Sequence, residues 1–411
     1  MSTASPDLPV FSANPAGPEF YLDPYPHYAR MHELGPAFVW REYGLITFAR
    51  HRLVNALLRD RRLGREATHV MSREEAGLPE IPEHVKPFYD FEANSILERE
   101  PPVHTRLRKL VNRAFVSRNI EGLAPAIATL ANGLIDEMLS NDSREADLLP
   151  AYCEKIPVIV IARLLGVPDD KCEQLLAWSH AMVAMYQFNR SRQIEEEAVA
   201  ATLAFSAYVR ELAAERRKSP REDLLTALVE TEASGDHLSM DELVTTAVLL
   251  LNAGHEATVH ALGNSVKALL TNGADPGKLF DSREASARAV EELLRFDPPL
   301  HMFTRFVLED MEIEGATLKR GQTVALLLGA ANHDPQVFRD PSRLDFARGG
   351  EGQLAFGAGI HFCLGAPLAR LEMAIALPLL FERLPGLKLK KEPVRANRYH
   401  FNGLESLDVR F

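Results

Sequence analysis

The sequence predicts a mainly α-helical fold with small β-sheets, and three observations carry that prediction. From Pro102 to about Thr271, apolar residues recur with a helical period almost without interruption. Strand-like runs are short and confined to the stretch before His51, the region after Asp297 and the end of the chain. No repeat, low-complexity tract or shift of composition marks a linker. All 411 residues are therefore expected to form one domain, with residues 1–20, rich in Pro, Ser and Ala, as an arm on its surface.

After the arm, "FVWREYGLITFAR" reads as a hairpin about a Glu-Tyr-Gly turn, and "HRLVNALLRD" as a helix. From Leu63 to about Pro101 the periodicity weakens, and Pro79, Pro82 and Pro87 beside Phe88, Tyr89 and Phe91 suggest a functional loop. Helices follow in "VHTRLRKLVNRAF", "GLAPAIATLANGLIDEML", "IPVIVIARLLGV", "EQLLAWSHAMVAMYQF", "EEEAVAATLAFSAYVRELAAERR", "DLLTALVE" and the apolar run leading into "LLLNAGHEATVH". Breakers such as "GVPDD", "KSPRED" and "SGDHLS" separate them. "EASARAVEELLRF" is a further helix stopped by "DPP", and "MEIEGATLKRGQTVALLL" reads as two strands around a Lys-Arg-Gly turn. After an irregular stretch ending in "FGAGIHFC", the helix "LGAPLARLEMAIALPLLFERL" precedes a short alternating β tail.

Composition excludes several functions. A net charge of −11 argues against a nucleic-acid binder, which would show a basic excess on one face. No run approaches the roughly 18 apolar residues of a membrane span, and the N-terminus lacks the basic-then-apolar pattern of a signal peptide, so a cytoplasmic protein is expected. Three cysteines are too few for a disulfide framework. Cys153 and Cys172 lie in helical patterns and read as small buried hydrophobes.

Cys363 is different, because it stands among glycines immediately before a helix. Gly357 and Gly359 permit tight turns and close approach to a flat ligand, and Gly365 leaves room beside the sulfur. The helix that follows favours a thiolate through its unpaired N–H groups and dipole. On local physics alone, a metal-holding thiolate and an ordinary buried cysteine are equal readings.

"FGAGIHFCLG" resembles the haem-binding loop of the cytochrome P-450 haem-thiolate monooxygenases, Phe-x-x-Gly-x-His-x-Cys-x-Gly, at every specified position. "EELLR" is similar to the family's Glu-x-x-Arg, with Glu292 and Arg295, and "LNAGHEATVH" resembles its oxygen-activating helix. The likeness is to the soluble bacterial type. It implies a triangular domain with haem b, iron protoporphyrin IX, between the central helix and the cysteine-loop helix. By the same resemblance Cys363 is the metal ligand, with Phe356 packed beside its sulfur and Gly357 and Gly365 shaping the loop. His361, Arg305, His104 and Arg108 bind the haem propionates. Helical spacing supports the last pair independently: Val103, Leu107, Leu110, Val111 and Ala114 form the buried stripe, while His104 and Arg108 stand one turn apart and can reach one anion together. Glu292 and Arg295 are assigned structure and haem assembly, with Arg343 in the meander "FRDPSRLDFAR" as a possible third member.

The helix "LLLNAGHEATVH" sets Leu250, Ala253, Gly254, Ala257 and Ala261 on one nearly bare face, suited to a flat cofactor or to close helix packing. Glu256 is costly to bury unless paired, hydrated or protonated. The resemblance implies Ala253 and Gly254 against the haem and Glu256 in proton delivery. It also exposes a departure: Ala257 occupies the place of the family's usual threonine. Thr258 carries a hydroxyl, but about 100° away around the helix. His255 falls on the apolar side with Leu251, Val259 and Leu262 and reads as a satisfied core histidine.

The expected activity is insertion of one oxygen atom from dioxygen into an apolar small molecule. No flavin or iron–sulfur motif is present, so electrons from NAD(P)H are expected through a separate ferredoxin and ferredoxin reductase; Arg106, Lys109 and Arg113 share a helix face that reads equally as a basic docking patch or as a solvated face. Two alternatives stand beside it: a peroxide-driven haem-thiolate oxygenase, and a non-enzymatic haem or ligand-binding protein. Candidate pocket residues are Phe88, Tyr89, the segment from Met182 to Phe188 with Met185, Leu250, Ala253, Leu300, His301, Phe303 and Phe401, a largely apolar set.

Overall fold

In the run "TVALLL" apolar residues do not alternate with polar ones, and the computed structural model shows why. It describes residues 8–116, 120–186, 190–230, 237–349, 352–399 and 401–411. Strands β1 (Val10–Phe11), β2 (Phe38–Trp40), β3 (Leu45–Phe48), β4 (Leu63–Gly64), β6 (Met302–Val307) and β9 (Thr323–Leu327) form a six-stranded sheet in the order β1-β2-β3-β9-β6-β4. On β9, Val324 and Leu326 join a core cluster with Ile46, Phe48 and Val307, while Ala325 and Leu327 join another with Phe38, Trp40 and Met302. A strand covered on both faces keeps apolar side chains at every position.

By contact the chain divides into two units, residues 1–78, 127–153 and 257–411, and residues 79–126 and 154–256. The six-stranded sheet belongs to the first. So do the three-stranded sheet β10 (Lys388–Leu389), β11 (Asp408–Arg410) and β5 (Glu145–Asp147), and the hairpin β7 (Met311–Ile313) with β8 (Ala316–Leu318). Residues 8–20 supply the edge strand β1, parallel to β2, and bury Phe11 and Phe20. The expected hairpin is β2–β3, turning at Gly44 with φ +64°.

Two strand readings are corrected. Residues 311–327 contain three strands, because Glu314 and Gly315 both take positive φ and fold a hairpin before the Lys-Arg-Gly turn. β6, absent from the sequence reading, pairs along its length with β9.

The second unit is helical: Val103–Val116, Lys155–Leu165, Cys172–Val183, Arg192–Lys218, Leu224–Glu230 and the first half of the 32-residue helix Met240–Thr271. That long helix opens on a reciprocal cap, in which Ser239 Oγ accepts from Glu242 N at 3.2 Å and Glu242 Oε2 accepts from Ser239 N at 2.9 Å. Gly166 ends the helix Lys155–Leu165 with φ +77°, and Arg216, fully buried, donates to its carbonyl at 2.7 Å while pairing with Asp223. A Cβ on Gly166 would lie 2.1 Å from Asp223 Oδ2. Gly166→Ala should therefore lower stability by roughly 2–4 kcal/mol, combining a strained φ with a displaced buried ion pair. A denaturation midpoint equal to wild type would contradict this packing.

Among the described residues no helix is long and apolar enough to cross a membrane. Cys153 and Cys172 are buried, as expected, and burial pushes the Cys172 thiol up to about 11.

Candidate functional site

The loop before Cys363 turns on two glycines in the left-handed region. Gly357 and Gly359 have φ of +68° and +74°. A Cβ at Gly359 would lie 2.2 Å from the carbonyl oxygen of Leu58, and one at Gly357 would lie 3.1 Å from the ring of Phe303. The backbone N–H of Cys363 donates to Phe356 O at 3.0 Å and closes the loop. The helix Ala366–Arg383 starts three residues later, and the Cys363 thiol is exposed. A Cβ on Gly365 would meet Cys363 Sγ at 3.9 Å, an ordinary van der Waals contact, so Gly365 stands beside the sulfur without being required there by space.

Neighbouring side chains hold this loop. The guanidinium of Arg370 lies 4.4 Å from the Phe356 ring centroid and donates from Nη2 to Glu291 Oε2 at 3.0 Å. From β6, Phe303 packs on Gly357, and Arg305, 5% exposed, lies 5.6 Å over the Phe303 ring. Within the first unit the structure thus brings together Cys363, Phe356, Gly357, Phe303 and Arg305. His361 ends the adjoining turn, half-buried.

Glu292 and Arg295, both with fully buried side chains, brace the segment leading there. Arg295 Nε and Nη2 donate to the two Glu292 oxygens at 2.8 and 2.9 Å; Nη1 donates to the carbonyls of Asn332 and Pro341 at 2.9 and 3.0 Å, and Nη2 to that of Arg343 at 3.3 Å. All five guanidinium N–H groups are used. Arg343 enters this network by its carbonyl; the additional cation beside Glu292 is Arg348, at 3.4 Å. Asn332 continues the brace, its Oδ1 accepting from Leu354 N at 2.7 Å just ahead of the cysteine loop.

In the second unit, helix Val103–Val116 buries Leu107, Leu110, Val111 and Ala114, and places His104 at 3% exposure with Arg108 half-buried one turn on. Arg106 pairs with Glu242 and donates to the carbonyl of His237 at 2.9 Å, and Lys109 and Arg113 are exposed on the same helix.

The long helix is an uninterrupted α-helix through residues 250–261, so the Thr258 hydroxyl keeps its direction away from the Ala257 position. Thr258 is buried, Ala257 half-buried and Ala253 exposed. Gly254 faces its own unit: a Cβ there would lie 3.0 Å from Ile161 Cγ1, so close packing on helix Lys155–Leu165 selects glycine. Glu256 is 8% exposed, with His180 Nε2 at 3.4 Å and His255 Nε2 at 3.8 Å from its Oε1. His255 is only half satisfied. Its Nδ1–H donates to Leu251 O at 2.8 Å, while Nε2 has no hydrogen-bond partner; burial lowers its pKa despite the opposing charge of Glu256. His180 carried no sequence signal, because its helix approaches the long helix only in three dimensions.

The pocket candidates divide. Phe88, Met185 and Leu250 are buried in the second unit, and Tyr89 accepts from Arg190 Nη2 at 3.3 Å. Residues 187–189, which include Phe188, lie outside the described residues. Leu300 and Phe401 form a β-bridge in the first unit. A buried network absent from the sequence reading fixes that bridge: Asp297 accepts from Tyr25, Arg395 and Asn402 at 2.5, 2.7 and 2.8 Å. His301 is corrected to a core residue: it is fully buried, bonded to Tyr28 Oη at 2.5 Å, and burial lowers its pKa to about 3.

A mainly helical chain whose glycine-locked loop presents a thiol ahead of a helix, behind a buried Glu-x-x-Arg brace, defines the class as a haem-thiolate type of oxidoreductase. The Cytochrome P450 family profile matches residues 67–273 and 286–396. The chain is 37% identical to polyketide biosynthesis cytochrome P450 PksS of Bacillus subtilis (strain 168), covering 96% of this chain and 98% of that one. It is also 37% identical to cytochrome P450 monooxygenase PikC of Streptomyces venezuelae, covering 100% and 96%. The crystal structure of P450BioI in complex with hexadec-9Z-enoic acid ligated acyl carrier protein superposes with a TM-score of 0.87 at 32% identity, covering 96% and 99%. The chain belongs to the cytochrome P450 family. It is a monooxygenase of that family, which implies a haem cofactor, and the residues present fit one: an exposed cysteine on a loop that turns on two glycines at positive φ, Gly359 leaving no room for a side chain, and the buried cation Arg305 in the same unit.

Proposed function

We propose that this chain inserts one oxygen atom from dioxygen into a largely apolar small molecule, with haem b held by Cys363 and with electrons from NAD(P)H delivered by a ferredoxin and its reductase. The observation that carries the reading is the exposed Cys363 on a loop that turns on Gly357 and Gly359 at positive φ, with no room for a side chain at Gly359. The bound haem supplies redox chemistry, and electron donation from a thiolate ligand favours cleavage of the O–O bond. Phe356, over whose ring the Arg370 guanidinium lies, is assigned to shield the sulfur by its place in the motif. Arg305, His361, His104 and Arg108 are assigned to the propionates, as charge-assisted donors for carboxylates. Ala253 and the Gly254 backbone are assigned to the cofactor face by their place in the motif.

Glu256 is assigned proton delivery, passing protons through ordered water where Ala257 lacks the usual hydroxyl; Thr258 stays a weaker candidate because of its direction. An apolar substrate is supported by Phe88, Tyr89, Met185, Leu250, Leu300, Phe303 and Phe401, and by the polyketide and hexadecenoic acid named for the two relatives above. A cytoplasmic location is supported by two buried free thiols, which a reducing compartment preserves.

Turnover with a reconstituted ferredoxin system tests this reading against peroxide-driven oxygenation, which Ala257 favours and retention of Glu256 disfavours. Glu256→Ala should slow product formation roughly 10²-fold or divert the reducing equivalents to peroxide. Unchanged rate and coupling would remove Glu256 from the mechanism. Product formed from peroxide at full rate, with none from the ferredoxin system, would replace the dioxygen reading.

A further inference from the structure

The two imidazoles of His180 and His255 together with the Glu256 carboxylate carry a further binding capacity. One ligand atom each from His180, His255 and Glu256 lie within 4.8 Å of one another. Two edges of that triangle, His180 Nε2 to Glu256 Oε1 at 3.4 Å and His255 Nε2 to the same oxygen at 3.8 Å, approach the ligand spacing of about 3.3–3.5 Å set by bonds near 2.1 Å in a tetrahedral zinc site. The third closes by rotation of His180, whose side chain is 56% exposed. His255 is prepared for coordination. Its Nδ1 must carry the hydrogen donated to Leu251 O, so the buried Nε2, which has no partner, presents a lone pair toward Glu256. The helix bearing His180 is held on the long helix nearby, where Asn252 Nδ2 meets Met182 Sδ at 3.7 Å.

We infer that His180, His255 and Glu256 form a binding site for one divalent transition metal of the Zn²⁺ type. Two imidazoles and a carboxylate suit Zn²⁺, Ni²⁺ or Cu²⁺ and not the oxygen-seeking Mg²⁺ or Ca²⁺, and a fourth position is left for water. The site lies apart from the cysteine loop in chemistry and in ligand set. It takes up the carboxylate assigned to proton delivery, so metal loading slows turnover; this second step rests on the reading of Glu256 above.

The test uses tag-free, haem-loaded full-length protein titrated with Zn²⁺ in competition with a chromophoric chelator. Wild type should bind one equivalent at micromolar affinity or tighter. His180→Ala and His255→Gln should each weaken that equivalent about 100-fold, since losing even a residue that only orients a ligand costs roughly 10- to 100-fold. The spectrum of the reduced carbon monoxide complex checks that each variant is folded and loaded. Absence of a tight equivalent, or equal binding by wild type and both variants, would overturn the site. Turnover with and without one equivalent of Zn²⁺, each protein compared with its own metal-free rate, separates the two steps. Slowing of wild type alone supports both; tight binding without slowing keeps the site and contradicts the role given to Glu256.

Discussion

Arg295→Ala should leave little folded, haem-loaded protein. The substitution removes five hydrogen bonds at once and leaves the fully buried Glu292 carboxylate to the more distant Arg348 Nε, at 3.4 Å, and the Asp345 N–H. Breaking a buried ion pair by deleting one partner costs about 3–5 kcal/mol, against a total stability of roughly 5–15 kcal/mol for a typical domain. The loss also frees the carbonyls of Asn332, Pro341 and Arg343, which fix the meander ahead of the cysteine loop. Arg295→Lys keeps the charge but cannot reproduce the planar fork, and should rescue only part of the yield. Soluble yield and haem content per chain measure both variants. A well-loaded Arg295→Ala protein would show that the brace is dispensable.

Cys363→Ala should reduce ferredoxin-supported turnover to background while leaving the polypeptide folded. The thiol is exposed, and the conformation of the loop is set by Gly357, Gly359 and the Cys363 N–H to Phe356 O bond, none of which needs the sulfur. Far-ultraviolet circular dichroism should match wild type, and product formation should vanish. Comparable turnover by the variant would transfer the ligand role elsewhere.

These two residues also mark how far the sequence could be read. The cysteine loop was legible because its information is local: glycines at positive φ, a cysteine and a helix start occupy ten consecutive residues. Most helices were legible for a related reason, since one apolar face imprints a period on neighbouring residues, as Leu107, Leu110, Val111 and Ala114 show. What a side chain touches across the fold leaves no such trace. Arg348, and not the Arg343 side chain, meets Glu292, and Arg106 pairs with Glu242. Gly254 looked like one of several small residues over a cofactor, yet its nearest constraint is Ile161 from another helix. β6 was missed because Arg305 and Thr304 interrupt its apolar pattern, and its pairing partner β9 begins sixteen residues after Val307, the last residue of β6. His301 was read as a polar pocket contact because its burial against Tyr28 and Tyr399 depends on residues far away in sequence.

The most direct measurement is the absorption spectrum of the reduced carbon monoxide complex, recorded for wild type and for Cys363→Ala at equal haem content. Thiolate ligation by Cys363 predicts a strongly red-shifted Soret band in wild type and its disappearance in the variant. A red-shifted band that survives in Cys363→Ala would contradict the assignment on which the proposed chemistry rests.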